Sequence, residues 1–345
     1  MDDRYNERMP EPRDVAVIGA GPVGLACAIE LRRRGLTVRV FDQGTLANSI
    51  VGYPTNMEFF STPELIEIGG YPFPVPGYKP RREDALEYYR GVAVRESLEL
   101  SLYDRVEAID GAAGDFVVRA ATGEHRVKAV VLSTGFFDRV NPLGVPGEDL
   151  PKVTHYYKEP FAYVGQDVAV IGARNSAAKA ALDCYRHGAR VTLVVRGAAL
   201  SEKIKYWIKP DLENRIKEGS ITAYYESTVA EIRPHTLVLD TPSGGCEIAN
   251  NWVLAMTGYH PDFDLLHRFG VTFAEDGWRT PIYDESTFET ARRGLYIAGT
   301  VCGGYQTGRW FIENGRFHAR QIAEHLSGGA AERIPYEKIH WKTAE

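Results

Sequence analysis

Three glycines near the start of the chain, Gly19, Gly21 and Gly24, stand in the spacing G-x-G-x-x-G. They follow an apolar run, Val15-Ala-Val-Ile18, and lead into a helix-compatible stretch through Glu30. Glycine at the first position permits a sharp turn out of a strand. At the second it lets backbone approach a pyrophosphate, and at the third it lets the helix pack closely on the strand. The helix that begins there offers free N–H groups and a positive dipole end to phosphates. A second apolar run, Thr37–Phe41, ends in Asp42, about 20 residues on, where an acidic side chain meets a ribose hydroxyl. Strand, turn, helix, strand and acid in this order predict a dinucleotide site; a glycine-rich turn in some other α/β protein is the plainer alternative.

The pattern returns later. Asp167-Val-Ala-Val-Ile171 leads into Gly172, and a helix follows to His187, where Gly188 stops it. The next strand is Arg190–Val195. Arg174 stands where the middle glycine belongs, and Ala177 takes the third position, which tolerates alanine. Arg196 occupies the place that Asp42 holds in the first copy. An arginine there accommodates a 2′-phosphate, and the basic run Lys203–Lys209 adds charge. NADPH is therefore expected at the second site rather than NADH; a solvated basic surface is the alternative.

Between and around these units the elements follow from pattern. Gln43–Tyr78 is irregular and rich in Asn, Thr, Gly, Pro and aromatics, a composition suited to lining a cofactor. A helix is predicted over 81–96. Ser101–Ile109, Asp115–Ala120 and Glu124–Val127 alternate like a small antiparallel insert, followed by a buried strand from Val130 ending in Ser133-Thr-Gly135. Phe136–Gly165 carries Pro142, Pro146, Pro151 and Pro160 and is expected to be a hinge between domains. Asn251–Tyr259 repeats the Thr-Gly strand ending, Gly294–Thr300 is a further apolar strand, and a helix is predicted over 309–326. From Ser327 the chain is mostly polar.

The chain has 345 residues, 44% hydrophobic and 25% charged, with a formal net charge of −6. Its length suits two domains, and its charge does not favour a nucleic-acid partner. No apolar run approaches a membrane span. Met1–Arg13 is polar and reads as a disordered lead-in, not a signal peptide. The four cysteines, Cys27, Cys184, Cys246 and Cys302, form no C-x-x-C and no metal-ligand spacing, so no metal is expected. Sparse cysteine suits a reducing cytoplasm. Cys27 and Cys184 fall in predicted helices and read as small buried hydrophobes; Cys246 falls in a predicted exposed Ser-Gly-Gly-Cys turn.

Two nucleotide folds, two Thr-Gly strand ends and a late Gly-Leu-Tyr-Ile-Ala-Gly strand resemble the two-dinucleotide-binding flavoprotein reductases, with the layout of low-molecular-weight thioredoxin reductases. His155–Pro160, Asn175–Ala177, Lys205–Ile216, Met256–Tyr259 and Phe311–Arg316 narrow the resemblance to the bacillithiol disulfide reductase family. It covers Val15 to Leu326. The resemblance implies an α/β fold of two Rossmann-like domains, with an FAD domain over 1–140 and 260–345 and an inserted NADPH domain over 141–259. It assigns Gly19, Gly21, Pro22, Gly24, Asp42, Gln43, Thr55, Asn56, Val106, Thr134, Gly135, Gly299 and Thr300 to FAD. It assigns Gly172, Arg174, Asn175, Ser176, Ala177, Arg196, Lys203, Thr257 and Gly258 to NADPH. Relatives usually carry Asp at the position of Thr300, and some carry Cys at that of Val23.

The implied function is NADPH-dependent reduction of an oxidised low-molecular-weight thiol, bacillithiol disulfide first, by a homodimer without a C-x-x-C dithiol. A ferredoxin–NADP reductase of the thioredoxin-reductase type and a redox-sensing module are the alternatives. Residues for the chemistry itself are not fixed. Cys302, two positions past Thr300, is a candidate redox thiol, and His155 and His318 are candidate proton donors; a structural role is favoured for all three. The inserted domain is expected to swing on its connectors, Phe136–Gly165 and the residues after Gly258.

Overall fold

The computed structural model describes residues 13–331. The lead-in through Pro12 and the tail residues Tyr336, Ile339 and Trp341 lie outside them. Arg13 already belongs to the first strand. The chain divides into two compact units. One comprises the residues up to Val51, Glu58–Arg139 and those from His260; the other comprises Gly52–Met57 and Val140–Tyr259.

The first unit opens with β1 (Arg13–Ile18), α1 (Pro22–Arg33) and β2 (Val38–Phe41). β1 is buried from Val15 to Ile18, as suits a parallel strand covered on both faces. Pro22 at the first helical position presets α1, and Arg32 and Arg33 complement its C-terminal dipole end. Short helices α2 (Asn48–Val51) and α3 (Pro63–Ile66) interrupt the segment read as irregular. α4 (Arg82–Arg95) follows, then β3 (Glu99–Ser101), β4 (Val106–Ala112), β5 (Asp115–Ala120) and β6 (Gly123–Leu132).

The strands of this insert are divided differently from the sequence pattern. Ser101–Ile109 is not one strand. Tyr103 adopts φ +55, and buried Asp104 accepts hydrogen bonds from the Thr122 N–H and hydroxyl, which ends one strand before the next begins. Conversely, Glu124–Val127 and the strand from Val130 are one element. The first half of β6 pairs antiparallel with β5 and its second half pairs parallel with β1.

β7 (Arg139–Val140) precedes the second unit. That unit contains β8 (Val153–Thr154), β9 (Asp167–Ile171), α5 (Asn175–Arg186), β10 (Arg190–Val194), α6 (Lys209–Lys217) and β11 (Thr222–Tyr224). β12 (Thr228–Ile232), β13 (Thr236–Thr241), β14 (Gly244–Ala249), β15 (Trp252–Ala255) and β16 (Tyr259–His260) follow. Its parallel sheet runs β11-β10-β9-β15-β8, and β12-β13-β14 form a separate antiparallel sheet. One core joins α5 residues such as Ala181 and Leu182 to Val168, Val170 and Leu193. A second joins Ala169, Ile171 and Val253 to Val229, Leu237 and Leu239 of the small sheet.

Most of the expected hinge is built into this unit. β8 pairs with β15, the Glu148 carboxylate accepts the Leu143 and Gly144 N–H groups at 2.7 Å, and a Cβ on Gly147 would lie 1.8 Å from the Ile232 carbonyl oxygen. Its prolines therefore mark a packed loop.

The chain then returns to the first unit with α7 (Phe263–Arg268), β17 (Leu295–Ile297) and α8 (Ile312–Leu326). The sheet there runs β3-β2-β1-β6-β5-β4, with β17 also paired to β6. α8 starts later than predicted. Phe311 is extended, and its N–H is capped by the Asn314 side chain at 2.7 Å.

Candidate cofactor sites

The three glycines of the first turn do three different things. Gly19 adopts φ +112, and a Cβ on it would lie 2.4 Å from the Ser133 carbonyl oxygen. A Cβ on Gly24 would lie 1.9 Å from the Gly19 carbonyl oxygen. Gly21 has φ −75, and a Cβ on it would meet nothing within 4 Å. The fold itself thus demands glycine at 19 and 24, whereas the space over Gly21 is open. Pro22 and Val23 begin α1, whose first turn carries no acidic residue and no side-chain cap. An unblocked helix N-terminus with open space over its turn fits a pyrophosphate.

Asp42 ties the end of β2 to this turn. One carboxylate oxygen accepts the Ala20 N–H at 2.7 Å, the other the Gly44 N–H at 2.8 Å. Burial raises its pKa in spite of both bonds. Gln43 donates to Asp138 at 2.9 Å, and Val106 is buried at the start of β4. β17 lies against β6 in register, Ile297 opposite Leu132, so both strand ends open at one place. A Cβ on Gly135 (φ +73) would lie 3.8 Å from the Thr300 hydroxyl. Thr134, Gly135, Gly299 and Thr300 are therefore neighbours. Ser133 was missed in the sequence. Its hydroxyl is within 3.1 Å of the Ile18 and 3.0 Å of the Gly19 carbonyl oxygens and braces the turn. Its place just before the Thr-Gly ending was the available signal.

Thr55 and Asn56, expected in the first domain, cluster with the second unit. The Thr55 N–H donates to the Lys158 carbonyl at 2.9 Å, and Lys158 Nζ donates to the Gly52 carbonyl at 2.7 Å.

The second unit repeats the cradle. Gly172 adopts φ +142, with a Cβ on it 2.6 Å from the Met256 carbonyl oxygen. Arg174 is exposed and extended, φ −114, so the backbone does not require glycine there. α5 begins at Asn175 with Ser176 and Ala177 in its first turn, again without an acidic residue or a side-chain cap. The same added Cβ on Gly172 would lie 3.1 Å from the Ala177 methyl, so Gly172 and Ala177 meet closely where strand gives way to helix. Arg196 is exposed just past β10, and Lys203 is exposed on the following loop. Thr257 donates to the Asn141 carbonyl at 2.5 Å, and the Asn141 N–H donates to Gly258 at 3.0 Å.

The chemical candidates sit in poor places for chemistry. Cys302 is fully buried, and burial holds its thiol well above the ordinary range. Exchange needs an accessible thiolate, and Cys302 packed at this depth does not present one. His318 is also buried. Its Nδ1 accepts the Gly299 N–H at 3.1 Å, and burial lowers its pKa to about 3, so it is neutral and not a ready proton donor. His155 pairs with Glu148 at 3.1 Å. Cys27 and Cys184 are fully buried. Cys246 lies in β14, opposite Leu239, and is only partly exposed; the expected turn is a strand. No cluster of metal-binding side chains occurs among the described residues, and no described helix is long and apolar enough to cross a membrane. Replacing Cys302 with Ala is expected to leave NADPH-dependent turnover within about threefold of the parent, since no thiolate is lost; steady-state rates on FAD-loaded protein check this.

Two dinucleotide cradles on separate Rossmann-like units define a flavin- and nicotinamide-dependent oxidoreductase with FAD and NADPH as cofactors. Residues 16–299 match the pyridine nucleotide-disulphide oxidoreductase family model. The chain belongs to that family. It is 40% identical over 315 residues to the bacilliredoxin reductase Bdr of Bacillus subtilis (strain 168), covering 90% of this chain and 96% of that one. Among solved structures it is similar to the bacillithiol disulfide reductase Bdr (YpdA) from Bacillus cereus, with TM-score 0.89 and 40% identity over 92% of this chain and 99% of the other. Thioredoxin reductase of T. acidophilum shares the fold, with TM-score 0.73 at 19% identity, over 92% of this chain and 98% of that one.

Proposed function

We propose that the chain reduces bacillithiol disulfide, an oxidised low-molecular-weight thiol, with NADPH as the electron source. NADPH, one proton and the disulfide give NADP+ and two thiols. The observation that carries this is a pair of cradles in a chain without any C-x-x-C, its accessible chemistry thereby left to the cofactor, together with relatives of 40% identity whose names state disulfide or bacilliredoxin reduction. FAD, when bound, supplies the transfer of two electrons from nicotinamide to disulfide.

The protein's own residues bind and orient. The backbone at Gly21 and the α1 N-terminus hold the FAD pyrophosphate. Asp42 faces the ribose, and the neighbouring Thr134–Gly135 and Gly299–Thr300 ends bound the flavin. Gly172 and the α5 N-terminus hold the NADPH pyrophosphate, and Arg196 and Lys203 take its 2′-phosphate.

NADPH oxidation by FAD-loaded protein is to be followed with bacillithiol disulfide, glutathione disulfide, thioredoxin and ferredoxin in parallel, and with NADH as alternative donor. Bacillithiol disulfide is expected to give the highest kcat/KM, and NADPH is expected to outperform NADH. Faster turnover with ferredoxin would replace this function with an iron–sulfur one.

A further inference from the structure

The segment after β10 is anchored by apolar side chains and tied to the turn before α5 by one polar one. Leu200, Ile204 and Ile208 are buried at four-residue intervals in the core of the second unit. Between these anchors the chain presents Lys203, Tyr206 and Trp207 to solvent, with Lys205 half-buried. Tyr206 and Trp207 meet edge to face at 4.8 Å, and the Lys205 ammonium lies 5.7 Å from the Trp207 ring centre.

Asn175, the first residue of α5, grips this loop twice. Its amide nitrogen donates to the Lys203 carbonyl at 3.0 Å, and its amide oxygen accepts the Lys205 N–H at 3.0 Å. The Ser201 N–H donates to the Ala173 carbonyl at 3.1 Å beside it. The amide carries its donor and its acceptor on separate atoms, so it serves both backbone groups at once. The grip joins the loop to the turn at the C-terminal ends of β9 and β10, where nucleotides bind in doubly wound sheets.

We infer that Asn175 is a positioning residue for NADPH selectivity: it holds the Lys203–Lys205 backbone so that the Lys203 ammonium stands with Arg196 at the 2′-phosphate. The inference rests on the assignment of Arg196 and Lys203 to that phosphate. A loop already fixed loses less freedom when the ligand arrives, so the benefit falls on ligands that carry the phosphate. Hydrogen bonding of Asn175 to a pyrophosphate would instead help every adenine dinucleotide alike.

The test is calorimetric titration of FAD-loaded protein with adenosine 2′,5′-bisphosphate and with adenosine 5′-monophosphate. The parent is expected to prefer the bisphosphate, and Arg196→Ala is expected to remove most of that preference. Asn175→Ala should weaken bisphosphate binding about tenfold, the effect of losing one charge-assisted contact, while monophosphate binding stays within about twofold. Lys203→Ala, an exposed change that does not threaten folding, should weaken the bisphosphate similarly. The double variant should then lose no more than Lys203→Ala alone.

Equal weakening of both ligands by Asn175→Ala, or no weakening, overturns the inference while leaving the 2′-phosphate assignment standing. So does full additivity in the double variant. A parent without preference for the bisphosphate overturns the assignment, and the inference with it.

Discussion

Gly24→Ala is expected to abolish FAD retention and to lower the melting temperature of the FAD-free protein, whereas Gly21→Ala loses FAD yet melts like the parent. The contrast follows from what an added methyl would meet. At Gly24 it lies 1.9 Å from the Gly19 carbonyl oxygen and 2.5 Å from the Ser133 hydroxyl. Backbone cannot yield as a flexible side-chain end can. Displacing Gly19 also disturbs the Ser133 brace and the Asp42–Ala20 bond. Overpacking of this kind costs about 1–3 kcal/mol or more.

At Gly21 the methyl meets no protein atom within 4 Å, and φ −75 suits alanine. Only a pyrophosphate lying on the backbone would feel it. FAD affinity should then fall by about a hundredfold, equivalent to about 2.7 kcal/mol. Flavin absorbance per chain after purification and thermal melting of the stripped proteins separate the cases. A Gly24→Ala protein that keeps its flavin would refute the packing account. A Gly21→Ala protein that keeps its flavin would show that the open space is not where the pyrophosphate lies, and one that melts well below the parent would show that the fold itself needs glycine there.

The same geometry explains why the two cradles were legible in the sequence. Gly19 and Gly172 need left-handed backbone, and Gly24 and Ala177 sit where helix meets strand; such demands leave a mark in residue type. The Arg174 departure was legible for the opposite reason, since an extended φ of −114 places no demand on that position. What escaped was set by distant partners. The polar first half of β6 looks detached from its apolar second half, because its neighbour changes from β5 to β1 and the required patterning changes with it. Pro142, Pro146 and Pro151 suggested a hinge, but Glu148 capping two backbone N–H groups and Gly147 pressed on Ile232 pack this part of the segment into the second unit, and the division between the units falls earlier, at Arg139 and Val140, which no local pattern announces. Thr55 was placed by the motif around it, whereas its backbone partner, Lys158, lies 103 residues away.

His318 is expected to make the protein acid-sensitive, and His318→Leu to remove part of that sensitivity while lowering stability at neutral pH. His318 is buried on α8, stacked on Phe288 at 3.9 Å and edge-on to Trp310 at 4.4 Å. No partner for its Nε2 is present among the described residues. Nδ1 accepts the Gly299 N–H, so the neutral tautomer carries its proton on Nε2. Burial in this aromatic cage, with Arg309 adding like charge, lowers the pKa from 6.5 to about 3.

Between those values the unfolded chain binds a proton that the folded chain does not. Stability therefore falls as pH drops through the unfolded pKa, by about 1.4 kcal/mol per unit, and levels off only near the folded pKa. His318→Leu leaves the Gly299 N–H unpaired, at a cost of about 1–3 kcal/mol at pH 7, but it cannot titrate. The stability difference between parent and variant should therefore shrink from pH 7 to pH 4.5 and tend to reverse. Urea unfolding of both proteins, FAD-free, across that range measures it. A constant difference at every pH would mean that His318 takes up its proton in the fold at the same pH as in the unfolded chain, and so is protonated there at pH 4.5. The Gly299 N–H would then lack its acceptor, and the strand end beside Thr300 would be held by something other than this ring.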